Sequence, residues 1–275
     1  MNGELMMSQR TRATFGLLFF FGATWMASAA ELQITVENLQ PQDGFFFTPV
    51  WFGLHDGGFD LFDIGSPATS QLATLAEIGD VAPLSELFLS STNANASMRA
   101  DGVLIAPAGF PGAPVFDPSE SITANVMVTD PMSNRYFSFA SMVIPSNDAF
   151  FGNSNPMAYQ LFAPDGSFSG PITIDILGRN IYDAGSELND QMGAAFSAIG
   201  GMDTDETANV MLHPGLDAFL GTETAAGSTL MSSIGPDTVV ARIHINAVPE
   251  PAGISLLIFG LAAVSHPLRK WNRTA

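Results

Sequence analysis

Few side chains in this sequence are equipped for chemistry, and most of those are acids. IPSNDAFFGN at 144–153 sets Asp148 alone between a strand-like apolar run and two phenylalanines. IYDAGSE at 181–187 carries two more acids, Asp183 and Glu187, on either side of a glycine. Carboxylates are hard oxygen donors, and calcium takes roughly 6–8 oxygens, several of them carboxylate. Gly185 permits a sharp turn, so Asp183 and Glu187 can face one point. Three carboxylates gathered without a cation would repel one another and raise one another's pKa values. Spacing alone favours a plainer alternative, in which these are separate solvated turn acids and Asp183 is a good turn former.

The other candidates are weaker. HDGGFD (55–60) offers His55, Asp56 and Asp60, yet one histidine ending a strand beside a Gly-Gly turn usually has a structural role. DTDE (203–206) superficially resembles an EF-hand loop, but it lacks the glycine at the sixth place and reads as a solvated acidic loop. His213 and His244 have no neighbours that make a zinc triad or a Ser-His-Asp arrangement. No GxSxG motif or phosphate-cradling glycine loop occurs. The Phe45-Phe46-Phe47 run reads as core and edge packing. With no catalytic constellation, the chain is not expected to be an enzyme.

Composition narrows the partners. Of 275 residues, 27 are acidic and nine basic, for a net charge of −18. Between 31 and 247 there are 25 acids against four arginines (Arg99, Arg135, Arg179, Arg242) and no lysine. Such a surface repels nucleic acid and anionic lipid, which require basic patches. The charge either keeps an exported protein soluble or serves divalent cations. The 47% hydrophobic content argues against disorder. Cysteine is absent, so the domain rests on its core, on metal, or on both.

The elements that must position these acids are mainly strands. ELQITVENL (31–39) alternates Leu32, Ile34 and Val36 with polar neighbours, the period of a half-buried strand. FFFTPVWFGLH (45–55) is a second run, with Pro49 suggesting an edge or bulge. ATSQLATLAEIG (68–79) places Leu72, Leu75, Ala76 and Ile78 at helical spacing, and VAPLSELFLSS (81–91) adds a turn or two of helix. Strands then follow at 121–130, 135–145, 157–163, 169–178 and 237–247, separated by turns such as Pro164-Asp165-Gly166. The segment 200–236 reads as loop, and Asp183 falls in the loop after the strand at 169–178. The expected fold is mainly β: one antiparallel β-sandwich over 31–247 with one or two short helices.

The order of ITVENL, FTPVWFGLHDGGFDLFDIG, SMVIPSNDAFFG and IYDAGSE over most of 31–247 resembles the spondin N-terminal domain. That extracellular module occurs in F-spondin, in mindin and in exported bacterial proteins. The resemblance implies a C2-like sandwich that binds calcium at one end. Its ligands, carried onto this sequence, are Asp148, Asp183 and Glu187. The last position is usually Asp, so Glu187 is one methylene longer. It also implies cell adhesion or extracellular-matrix binding rather than turnover.

The two ends read as targeting segments. Arg10 and Arg12, the apolar stretch at 15–27 and ASAA at 27–30 form a signal peptide (1–30) cleaved after Ala29 or Ala30. VPEP (248–251) precedes an apolar stretch of 14 residues (252–265) and a basic tail that includes Arg269 and Lys270. That stretch is shorter than the ~20 residues a spanning helix needs, which suits a transient transmembrane anchor. Pro249, Glu250 and Pro251 with this helix and tail (248–275) resemble the PEP-CTERM sorting signal of Gram-negative bacteria. The resemblance implies processing by an exosortase-type protease after transient inner-membrane anchoring. The protein is then expected at the cell surface or in the extracellular matrix, where it would bind polysaccharide or a surface protein. A purely structural matrix protein with fold-stabilising calcium and a polysaccharide-acting enzyme are the alternatives.

Overall fold

The computed structural model describes residues 29–90, 99–106, 114–199 and 203–249. The signal peptide up to residue 28, and Glu250, Pro251, the apolar stretch, Arg269 and Lys270 of the sorting signal, lie outside the described residues. No helix among the described residues is long and apolar enough to cross a membrane.

The strands are β1 (Ala30–Asn38), β2 (Phe46–Phe47), β3 (Val50–His55), β4 (Ala100–Leu104), β5 (Ser121–Val128), β6 (Tyr136–Ile144), β7 (Ala149–Gly152), β8 (Ile172–Leu177), β9 (Ile181–Asp183), β10 (Met211–Leu212) and β11 (Val239–Ala247). Helices α1 (Ser70–Ile78) and α2 (Ala82–Ser90) lie between β3 and β4. One sheet runs β5-β1-β11-β8; the other runs β10-β9-β7-β6-β3-β4, with β2 also on β6. Every pairing is antiparallel.

Burial explains why the two sheets read so differently in sequence. The first sheet buries one face only, so β1 alternates: Leu32, Ile34 and Val36 point inward. Thr35 faces outward and shares a 2.8 Å hydrogen bond with Thr123 of β5. The second sheet is covered on both faces, and β3 and β6 are accordingly apolar almost throughout. Between the sheets lies a core that includes Ile34, Phe47, Phe52, Phe139, Phe151 and Ile243. Beyond the second sheet, Trp51, Phe150 and Tyr182 pack against Phe62, Leu72, Leu75 and Phe88 of the helical layer. This β-sandwich-like arrangement with two short helices agrees with the expected fold class.

Helix α1 has sequence-encoded ends. Thr69 caps it, its Oγ1 accepting the Leu72 N–H at 3.2 Å, and Gly79 closes it at φ 71°. Thr69→Ala is expected to cost about 1 kcal/mol of stability in urea denaturation. A loss below roughly 0.3 kcal/mol would show that the cap is replaced by water.

Several expectations are corrected. Pro49 marks no edge: it separates β2 from β3, which is paired on both sides, with β6 and β4. Ile78 faces solvent, unlike Leu72, Leu75 and Ala76. Residues 157–163 make only isolated bridges, Tyr136–Gln160 and Phe162–Phe168. There Leu161 and Phe162 N–H both donate to the Arg135 carbonyl, which breaks the ladder period. Within 169–178 the strand occupies only Ile172–Leu177. Asp183 is not in a loop; it ends β9, a strand the sequence did not disclose.

Candidate functional site

The site lies where β7 begins and β9 ends. These strands pair with Ala149 opposite Asp183, which brings the two acidic motifs together across 35 residues of chain. The chain leaves β6 at Ile144, and 145–148 form a tight connection to β7. Ser146 Oγ bonds the Val143 carbonyl and accepts the Ala149 N–H, at 2.5 and 3.2 Å. Over this connection folds the segment 184–195. Ala184 N–H donates to the Asp148 carbonyl (3.2 Å), Asp190 N–H to Asn147 Oδ1 (3.0 Å), and Ala195 N–H to the Ser146 carbonyl (2.8 Å). Asp148 is thereby sealed, with 0% of its surface exposed.

The two carboxylate oxygens of Asp148 have unequal surroundings. Oδ2 accepts three hydrogen bonds, from the Ser186 N–H (2.8 Å), the Glu187 N–H (3.1 Å) and Ser186 Oγ (3.2 Å). Oδ1 is fully buried and has no hydrogen-bond partner. Burial first, and then the Asp183 charge, push the carboxyl up to about 6, against the opposing effect of the bonds to Oδ2. A buried charged oxygen without a partner is costly, and native folds rarely keep one without a reason.

Asp183 is held from both sides. Its Oδ1 accepts the Gly185 N–H at 2.7 Å, and its Oδ2 accepts from Asn189 Nδ2. Asn189 Oδ1 in turn accepts His213 Nε2–H at 2.9 Å, because His213 Nδ1 is the acceptor of the Gly215 N–H at 3.1 Å. Burial holds the His213 pKa below its usual range, which favours the neutral ring. Sequence reading set His213 aside and did not see Asn189, since only β10 beside β9 brings His213 near.

Glu187 is 7% exposed, and its carboxyl is pushed up to about 7. The causes are burial, then Asp203, Glu77, Asp148 and Asp205. Glu187 and Asp205 sit directly opposite in a short antiparallel bridge closed by Leu188 N–H to Thr204 O and Glu206 N–H to Ser186 O. That makes them a non-hydrogen-bonded pair, in which side chains stand closest and like charges repel. Asp203 and Asp205 are solvent-exposed, as expected of the 203–206 loop. Sequence reading missed that this loop runs beside Glu187.

The structure therefore brings Asp148, Asp183 and Glu187 to one corner, but not into one cluster. Asp183 is the charge that acts on Asp148, whereas Glu187, raised first by burial, has Asp203 as the foremost of the charges acting on it. Among the described residues, no three His, Asp or Glu side chains gather as a group able to hold a metal ion. His55 is no ligand in this arrangement: its Nδ1 accepts the Gly57 N–H and its Nε2–H donates to Ser138 Oγ, both at 3.0 Å. Burial and the Arg99 charge lower its pKa to about 4.

No protein-family model matches the chain, and no curated protein matches it at a significant level.

Proposed function

We propose that this chain is an exported, non-enzymatic binding module of the spondin type, whose loops at one end of the sandwich are ordered by calcium. The observation that carries the reading is Asp148 Oδ1, a fully buried carboxylate oxygen with no partner, next to a second carboxylate. An all-oxygen donor set of Asp148, Asp183 and Glu187 suits a hard cation better than zinc or copper, which prefer nitrogen or sulfur. Bound calcium would supply positive charge that offsets the burial of the Asp148 and Glu187 carboxylates. This chain's own contribution is to fix Asp148 by its Oδ2 and to hold Asp183 through Gly185 and Asn189. Glu187, the third ligand that the resemblance implies, stands beside the like charges of Asp203 and Asp205, a repulsion that a bound cation would also relieve.

The surrounding sequence supports export: a basic, apolar and small-residue pattern at 1–30 that reads as a signal peptide, and a strongly acidic chain after it. The sorting element from Pro249 to the basic tail points to exosortase-type processing and display at the cell surface or in the extracellular matrix, with adhesion as the role.

Calcium titration of the purified protein by calorimetry and thermal melting tests the proposal. At ~100-fold its dissociation constant, calcium is expected to add about 2.7 kcal/mol of stability. Asp183→Asn should weaken calcium binding at least tenfold. A melting curve identical in saturating calcium and in chelator would overturn the reading.

A further inference from the structure

A second site lies away from the acidic corner, in the seam between the two sheets. There β8, the edge strand of the first sheet, faces the loop 153–159 that follows β7. The seam forms a cleft of about 160 Å³ whose lining includes Tyr159, Tyr182, Ser154, Asn155, Asn180 and Asp175. We propose that this cleft binds a single ring of a neutral saccharide. The inference rests on reading the chain as a binding module, and it does not require calcium.

The lining chemistry selects the ligand class. No basic side chain lines the cleft, so it has nothing to hold a phosphate or carboxylate. Its one carboxylate, Asp175, is engaged by Arg242 Nε at 2.5 Å and is not free for a cation. A lone carboxylate also cannot supply the facing pair that glycoside hydrolysis uses, so the cleft is built to bind. What remains is neutral and polar. Asn155 Oδ1 accepts the Met157 N–H (2.9 Å) and Asn180 Oδ1 accepts the Leu177 N–H (3.4 Å), so each amide is oriented while its Nδ2 stays available. Asn153 is wholly committed to structure: it accepts from Phe139 N–H and donates to Ser138 Oγ and the Asn155 carbonyl, which fixes the loop.

Tyr159 and Tyr182 both line the cleft, the Tyr182 ring from its place on the helical side of the second sheet. Tyr182 packs at its ring against Phe62 and Phe150, and half-buried Tyr159 packs against Phe139. Among the described residues neither phenol oxygen has a hydrogen-bond partner in the protein. Burial and the neighbouring Tyr182 raise the Tyr159 phenol above its usual range, so it remains a donor at any physiological pH. Preoriented amide donors, phenol hydroxyls and aromatic rings match a ligand with alternating hydroxyl edges and C–H faces. The cleft is smaller than the roughly 300 Å³ at which sites for drug-sized ligands begin, which suits one pyranose ring.

The probe is a panel of methyl glucosides, galactosides and mannosides with their disaccharides, followed by NMR on the isotopically labelled full chain in chelator. At least one member is expected to shift the Asn155 and Asn180 side-chain amide resonances. Tyr159→Phe keeps the ring packing and Asn180→Asp keeps the acceptor for Leu177 N–H, so both should fold. Each is expected to weaken the hit at least tenfold. No shift from any panel member at ~10 mM overturns the inference, as does a hit whose affinity neither variant changes. Calcium titration of the same variants separates the two sites. Calcium binding should be unchanged in both, whereas Asp183→Asn should leave the saccharide shifts intact.

Discussion

Asp148→Asn is expected to make the metal-free protein more stable at pH 7.5, by an amount on the order of 3 kcal/mol. The carboxyl is raised from 3.8 to about 6 in the fold, so the folded state holds its proton longer than the unfolded chain does. That contribution to stability is fully present below about pH 4 and is lost as pH rises through 6. Asparagine does not titrate, keeps an oxygen for the Ser186 and Glu187 N–H groups, and places a neutral donor where Oδ1 has no partner. Urea denaturation of both proteins in chelator, from pH 4 to 8, measures the difference. His55 pulls the other way, because its lowered pKa makes acidification from about 6.5 to 4 destabilising, and so does His213. Both histidines are common to the two proteins and cancel. Glu187 does not cancel fully, since Asp148 is one of the charges raising it, and the variant gains slightly from that as well. Saturating calcium should reverse the order: wild type gains about 2.7 kcal/mol at 100-fold the dissociation constant, and the variant gains nothing. If Asp148→Asn is destabilised in chelator at pH 7.5, the carboxylate is part of the scaffold and the calcium proposal loses its support.

The same residues explain which parts of the molecule could be read from sequence. β1 and β11 could be read because one face is wet, so Leu32-Ile34-Val36 and Ile243-Ile245 alternate with polar residues. β3 and β6 could be read as apolar runs because both their faces are covered. β4 could not: Ala100-Asp101-Gly102 has no strand signature, and it pairs because β3 needs a partner opposite β6. Likewise β9 has three residues and exists through its pairing with β7. Asp148 could be found because a lone acid amid apolar residues is anomalous wherever it lies. The environment of Glu187 could not, because it depends on 186–188 meeting 204–206, a contact set by non-local backbone pairing. The helix face was half legible: Leu72, Leu75 and Ala76 turn inward, whereas Ile78, at compatible spacing, falls on the exposed last turn before Gly79.

Gly185→Ala is expected to cost on the order of 3 kcal/mol and to weaken calcium binding at least tenfold. Gly185 sits at φ 69°, where a side chain alone adds roughly 1–2 kcal/mol of strain. A Cβ there would also lie 2.8 Å from the carbonyl carbon of Ala208 and 2.9 Å from the Asn209 oxygen. Both contacts are backbone, so no flexible side chain can swing aside. Ala208 N–H donates to the Gly185 carbonyl at 2.8 Å, which ties the two segments together at this point. Relief therefore has to come from moving 183–187 as a unit, and that carries the Ser186 and Glu187 N–H groups off Asp148 Oδ2 and the Gly185 N–H off Asp183. Gly227→Ala is the matched control: its φ is 80°, but no atom lies within 4 Å of an added Cβ. It should lose only the strain of roughly 1–2 kcal/mol and bind calcium as wild type does. Urea denaturation and calorimetry on the pair decide between strain and displacement. Equal losses in the two variants would mean that the turn accommodates a side chain, and that Asp148 is not positioned by close packing of Gly185 against 208–209.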